Sequence, residues 1–381
     1  MKRDTQPGSW GMNFEFSEEQ DLLREQARSF LRDRCTSKAV RTILEGDEPY
    51  DKALWKGMVE LGWTATTIPE AYGGIGLGHL ELCVLAEELG RVLAPTPFSS
   101  SVYLATEALL AFGSEAQKQA YLPKLAAGEL IGTVAVAEGT KAPTQKNLAT
   151  QAAGGALTGT KLPVPDGDVA DFAIVLAKDS DSASSFYLVD LTGPGVTRSA
   201  VSTLDPTRSH AEIVFDGAAA DCLGTPGAGF EQMDKLFDRA AVLFAWEQVG
   251  GAEAALYMAR DYAMGRFAFG RPIASFQAIK HKLADMYIAH TLARSNCYYG
   301  AWALSTDAPE LSVAAATARV SATEAFHECS KENIQTHGGM GFTWEFDCHL
   351  YYRRSKLLSL NLGALPRWKD RLVTQLEHSN S

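Results

Sequence analysis

Residues 257–287, YMARDYAMGRFAFGRPIASFQAIKHKLADMY, decide the fold. A helical run carries Tyr262, Arg266, Phe269 and Gly270. Pro272-Ile273 punctuate it, Phe276 and Gln277 follow, and a second amphipathic helix begins. Outward from this turn the helical period persists, with long runs at 230–265, 276–305, 310–336 and 345–360. From about 131 to 225 the period is two instead. TVAVA, ALTGT, DFAIVLA, SFYLVDL, GVTRSAV and AEIVFD are short β-branched or aromatic runs separated by Gly, Asp, Ser and Pro.

Residues 15–130 return to the helical period. FSEEQDLLREQARSFLRDR sets Leu22, Leu23, Ala27, Phe30 and Leu31 on one stripe, with Ser17 as N-cap and Gln20 completing a capping box. LWKGMVELG and HLELCVLAEELGRVL repeat the pattern around the Gly-rich loop IPEAYGGIGLG. The succession predicts three units: a helical one over 1–130, a β one over 131–228 and a helical one over 229–381.

The chain has 381 residues, 46% hydrophobic and 21% charged, enough for two or three domains with substantial cores. A net charge of −11 leaves no basic surplus to neutralise phosphates, which argues against a nucleic-acid partner. No apolar run approaches the roughly 20 residues that span a bilayer. The start, MKRDTQPGSWGMNFEF, lacks the apolar stretch of a secretory signal, so a cytoplasmic protein is expected. Cys35, Cys83, Cys222, Cys297, Cys329 and Cys348 are scattered without a CxxC pair, as buried reduced thiols would be, and no metal site is suggested.

Downstream, Ile334-Gln335-Thr336-His337-Gly338-Gly339-Met340-Gly341-Phe342-Thr343 sets paired glycines where backbone can approach a ligand closely. A helix C-cap turn is the simpler reading of those glycines taken alone. Together with 257–287, the segment resembles the C-terminal signature of acyl-CoA dehydrogenases. LGWTATTIPEAYGGIGLGHLELCVLAEELGRVLAPTPF (61–98) looks like that family's N-terminal segment, so the resemblance covers essentially the whole chain. It implies an α+β fold with an N-terminal helical domain, a middle β-barrel and a C-terminal four-helix bundle. It also implies FAD, with Arg266, Phe269, Gln277, Gln335, Gly338 and Gly339 gripping the ADP part of a cofactor seated mainly on a neighbouring subunit. A guanidinium suits a pyrophosphate, an aromatic ring stacks on adenine, and an amide both donates and accepts. His337 reads as a packing or capping residue, and Glu70, Glu87 and Glu88 as members of surface or interhelical pairs.

The family reaction, as the resemblance implies it, needs a carboxylate to take the α-proton of an acyl thioester while hydride leaves the β-carbon for the flavin. In many members the base is a Glu just before Gly-Thr near the C-terminus; Leu362 stands there, before Gly363-Ala364. In another branch it lies on the first long C-terminal helix, where an ungapped reading places Ala240. Glu247, in Phe244-Ala245-Trp246-Glu247-Gln248-Val249-Gly250-Gly251, is seven residues further, on the same helical face and roughly 10 Å along the axis. Its surroundings resemble a branch acting on steroid side-chain CoA thioesters, in which this Glu is the base. Beside Trp in a dry cleft its pKa is expected to rise. The alternative is a Glu paired with Arg or Lys from a neighbouring helix. Asp238 is a distant second candidate.

The middle region departs from the family pattern. Ala137 replaces the flavin-binding hydroxyl, the Gly-Ser-Asp is missing, and Pro163-Val164-Pro165 stand where a Trp-x-Thr shields the ring. Proline offers neither an indole face nor an N–H. The resemblance therefore implies a division of labour in a heteromer (α2β2), with a homo-oligomer as the alternative. An acyl-CoA would be the substrate and an electron-transfer flavoprotein the acceptor. The competing reading is a non-catalytic scaffold subunit completing a partner's FAD site; a flavin oxidase on the same fold is a third.

Overall fold

The protein is described from a computed structural model, which covers residues 17–379. The stretch MKRDTQPGSWGMNFEF lies outside the described residues. The first helix, α1 (Glu18–Arg34), opens on the expected capping box: the Ser17 hydroxyl accepts the Gln20 N–H, and the Gln20 amide accepts the Ser17 N–H. Ala27 and Leu31 on its inner stripe are buried, whereas Leu22 is 56% exposed. Then come α2 (Ser37–Glu45), α3 (Lys52–Glu60), α4 (His79–Arg91), α5 (Glu107–Phe112) and α6 (Glu115–Ala126). A π-helical segment over Ser99–Thr106, buried throughout, runs into α5.

Helix α4 is the hub of this layer, buried from Leu82 to Gly90. Its two consecutive carboxylates form the anticipated interhelical pairs. Glu87 takes Arg24 of α1 and Arg294, and Glu88 takes both Arg28 (2.7 Å) and Arg91 (3.2 Å). Burial works against the charge on Glu87, yet the Arg294 and Arg24 guanidiniums hold its carboxyl below the ordinary range. Glu70 lies exposed in a short 3-10 turn.

The middle of the chain corrects the expected barrel. β1 (Gly132–Ala135), β2 (Gln151–Ala153), β3 (Ala156–Pro165), β4 (Phe172–Lys178), β5 (Ser184–Asp190), β6 (Val196–Ala200), β7 (His210–Ala219) and β8 (Asp221–Leu223) form one open, mixed sheet. Its order is β6-β7-β3-β2-β4-β5-β8, with β1 parallel to β4 from Gly132–Phe172 to Ala135–Val175. Closure would require β6 to pair with β8, but β8 has only three residues and β6 is an edge with its outer residues solvated. Fully buried β4 instead packs between β1 and β5 under the helical layers.

Beyond the sheet run α7 (Gly229–Gly265), a hairpin of β9 (Phe267–Ala268) and β10 (Arg271–Pro272), then α8 (Gln277–Ser305), α9 (Leu311–His337), α10 (Cys348–Leu360) and α11 (Leu365–Ser379). Here too the reading is corrected. The helix stops at Gly265, so Phe269 and Gly270 turn the hairpin with positive φ of 53° and 76°. Helices α4 and α7 cross in backbone contact at two glycines. A Cβ on Gly90 would lie 1.8 Å from the Glu247 carbonyl oxygen, and one on Gly250 1.9 Å from that of Glu87. All six cysteines are free thiols; burial pushes Cys35, Cys329 and Cys348 up to about 12. Among the described residues no helix is long and apolar enough to cross a membrane.

Candidate active site

The two C-terminal motifs meet through a ring stack. Tyr262, in the last turn of α7, lies on His337 at the end of α9 with centroids 4.0 Å apart, and Phe346 meets both edges. His337 is buried and its Nδ1 is 2.9 Å from the Asn333 carbonyl oxygen, so it packs as expected. The stack holds two loops side by side. One carries Arg266 and Phe269 and leads to Gln277 at the start of α8, the other carries Gly338 and Gly339 after Gln335 in the last turn of α9, and all six residues are exposed. Phe269 is 95% exposed. A Cβ on Gly270, Gly338 or Gly339 would meet nothing within 4 Å, so backbone there is open to a ligand. Among the described residues no side chain caps α8 at Phe276, leaving a helix N-terminus able to attract an anion.

Glu247 sits in the opposite environment. It is 1% exposed, and its Oε1 accepts Arg208 Nη2 at 2.5 Å, with Arg354 Nη1 of α10 at 3.6 Å. Arg208, in the loop between β6 and β7, also donates to the Ala94 carbonyl and to Ser99 Oγ at 2.6 Å. Arg354 binds Asp205 Oδ2 at 2.6 Å and Thr207 Oγ1 at 2.7 Å. Glu247 is thus paired with two arginines, one from a β-domain loop and one from a helix. Glu247 Oε2 has no hydrogen-bond partner among the described residues. Leu362 and Ala240 are both buried in the apolar core. The Leu362 loop is held by Arg319, which donates to the Leu358 and Asn361 carbonyls and to Gln248 Oε1; burial lowers the Arg319 pKa to about 9. Asp238 is pinned by Arg371 at 2.6 Å and Ser312 at 2.9 Å.

The acyl-CoA dehydrogenase N-terminal domain family matches residues 17–129, and the C-terminal domain family matches residues 227–365. The chain belongs to the acyl-CoA dehydrogenases. Acyl-CoA dehydrogenase IpdE2 of Mycobacterium tuberculosis is 35% identical over 89% of this chain and 91% of its own. The ChsE4-ChsE5 complex from Mycobacterium tuberculosis aligns at 30% identity with a TM-score of 0.87, covering 96% of this chain and 99% of that one. A Tcur3481-Tcur3483 steroid ACAD variant aligns at 30% with a TM-score of 0.86 and the same coverage.

FAD is the cofactor of this family, and the exposed clamp suits its ADP end. On the side where the resemblance places the flavin ring, several groups of this acyl-CoA dehydrogenase bond within the chain. Val164 is fully buried and the Pro165 carbonyl accepts Thr133 Oγ1 at 2.6 Å. Ala137 gives its carbonyl to the Leu162 N–H. The next residue, Glu138, accepts the Ala149 and Thr150 N–H groups and Lys161 Nζ at 2.7 Å. Lys161 is wholly buried, and burial brings its pKa down to about 8. The Ala137 carbonyl, the Glu138 carboxylate and Lys161 are thus bonded within their own chain.

Sequence reasoning missed Arg208, Asp205, Arg354 and Asp166, which together form the polar core around Glu247. Asp166 is bound by Ser100 and by Ser209, and burial raises its pKa to about 6, against the nearby Arg208. The folded chain therefore takes up this proton near pH 6, before the unfolded chain does near about 4. Stability from this group is lost as pH rises through about 6 and is present in full at about 4 and below. Relative to Asp166→Asn, the wild type should gain up to roughly 3 kcal/mol between pH 7 and 4. Denaturant midpoints of the two proteins across that range check it; parallel curves would contradict it.

Proposed function

We propose that this chain serves the α,β-dehydrogenation of a bulky acyl-CoA thioester to the trans-2-enoyl-CoA as one subunit of a heteromeric FAD enzyme. It grips the ADP end of an FAD whose ring sits mainly on a partner subunit. The observation that carries this is the contrast within one chain: six clamp residues stand open, while the Ala137 carbonyl, Glu138, Lys161 and the Pro165 carbonyl on the ring side bond within the chain. FAD, when bound, supplies the hydride acceptor. What Arg266 contributes is a charge for the pyrophosphate, and Phe269 a stacking face. The ChsE4-ChsE5 complex and the steroid ACAD, both similar over nearly the whole chain, support a two-chain assembly and a steroid-derived acyl group. A cytoplasmic site and an electron-transfer flavoprotein as acceptor belong to the same reading.

Arg266→Ala and Phe269→Ala should each weaken FAD binding of the assembly by roughly 10- to 100-fold, the worth of a charged hydrogen bond or a stacked ring. Flavin fluorescence titration measures it. A full complement of tightly held flavin in the isolated homo-oligomer would overturn the division of labour.

A second reading keeps Glu247 as the base. Its Oε2 is buried and takes no hydrogen bond among the described residues, so it has the capacity to accept a proton. That reading requires the Arg208 pair to open on substrate binding.

A further inference from the structure

The loop that carries Gly338 and Gly339 does not end at the exposed turn. It continues as a 3-10 turn to Phe342, is closed by the Thr343 N–H on the Met340 carbonyl, and reaches Trp344 before α10 begins. On the α9 side the arm is anchored by the Tyr262–His337 stack. On the other side it is anchored by a helix of a different layer. Arg41, on α2, donates through Nη2 to the Trp344 carbonyl at 2.6 Å and through Nε to Asp347 Oδ1 at 2.7 Å. Its guanidinium also lies 5.8 Å from the Trp344 ring centroid. One turn further along α2, Glu45 Oε1 accepts the Trp344 indole N–H at 2.8 Å. His349 stacks on the Trp344 indole with centroids 4.6 Å apart, and Arg353 lies 5.6 Å from the indole.

An exposed indole gains little from burial, so this arrangement is explained by position rather than by the hydrophobic effect. A planar fork bonded at once to a carbonyl and a carboxylate fixes direction as well as distance. We propose that Arg41, with Trp344 as its contact, is a positioning residue for the cofactor clamp: the N-terminal helical layer of this subunit sets the geometry with which the Gly338-Gly339 arm meets a neighbouring subunit's FAD. The proposal rests on the clamp reading given above. It adds a residue some 300 positions from the motif, outside both stretches that carry the family signature.

The test uses full-length Arg41→Ala, Arg41→Lys and Trp344→Phe in the FAD-loaded assembly, with Arg266→Ala alongside. FAD affinity is read by flavin fluorescence after stripping, together with oligomer size and thermal midpoint. Arg41→Ala is expected to weaken FAD binding about tenfold, as a small misplacement of a positioning arm does, while size and midpoint stay near those of the wild type. Arg41→Lys should recover only part, because an ammonium keeps the charge and loses the fork. Trp344→Phe should weaken FAD in the same direction. If Arg266→Ala weakens FAD while Arg41→Ala and Trp344→Phe do not, the positioning role is overturned and the clamp stands. If Arg266→Ala has no effect either, or the wild-type assembly holds no FAD, both ideas fall together.

Discussion

Glu247→Ala is expected to lower the stability of the fold by roughly 3–5 kcal/mol, the cost of leaving buried charge without its partner. The loss is large because the carboxylate serves two cations from different parts of the chain. Arg208 comes from the β6–β7 loop and Arg354 from α10, and both are almost fully buried. With Glu247 gone, Asp205 still neutralises Arg354, but Arg208 keeps only neutral acceptors at Ala94 and Ser99 within bonding distance. Glu247→Gln preserves an oxygen for Arg208 and should cost markedly less. Per folded assembly, its turnover is expected to stay close to that of the wild type if Glu247 is structural. A fall of about 10²-fold or more, the usual worth of a general base, would instead establish the catalytic reading. Measuring denaturant midpoint and turnover per flavin on the same preparations separates the two.

Gly250→Ala should be comparably damaging for a different reason. The added Cβ would lie 1.9 Å from the Glu87 carbonyl oxygen and 3.0 Å from the Arg91 amide nitrogen, both backbone atoms of α4. Neither can rotate aside, so the helices must separate, and overpacking of this kind costs typically 1–3 kcal/mol and occasionally more. Separation would also drag Glu87 from Arg294 and Glu247 from Arg208, adding to the loss. Gly90→Ala meets the same obstacle from the other helix. Yield of soluble protein and thermal midpoint report the effect. A Gly250→Ala chain that folds with an unchanged midpoint would show the crossing to be less tight than described.

Much of this architecture was legible. The helical, β and helical succession, the capping box at Ser17 and the interhelical pairs of Glu87 and Glu88 all follow from spacing and residue chemistry. The open sheet was not, because alternation along β6 or β8 says which face is buried and nothing about which strand lies alongside. The hairpin at 267–272 was hidden because Phe267 and Ala268 continue an apolar helical pattern past Gly265. α11 went unread as well. Of the candidate site, the six clamp candidates are legible because they lie in two short stretches near the chain's helix ends, and the fold leaves all six exposed. Arg208, Arg319 and Arg354 were invisible for the opposite reason: an arginine in a sequence reads as solvated surface, and their partners lie 39 to 149 residues away. The doublet Arg353-Arg354, between Leu350-Tyr351 and Leu357-Leu358 of α10, was one available signal, since a helix facing a core seldom tolerates a charge that has no partner.

The bond between Arg41 and Asp347 joins residues 306 positions apart, and that between Glu45 and Trp344 joins residues 299 apart. Neither can form until nearly the whole chain has been made and its two terminal layers have docked, because such distant contacts come with the loop-closure entropy of everything between them. The anchor of the Gly338-Gly339 arm is therefore a late-maturing feature. A nascent or half-folded chain displays the Gly338-Gly339 turn without its anchor, so if that turn holds a nucleotide as proposed, capture follows the completion of folding.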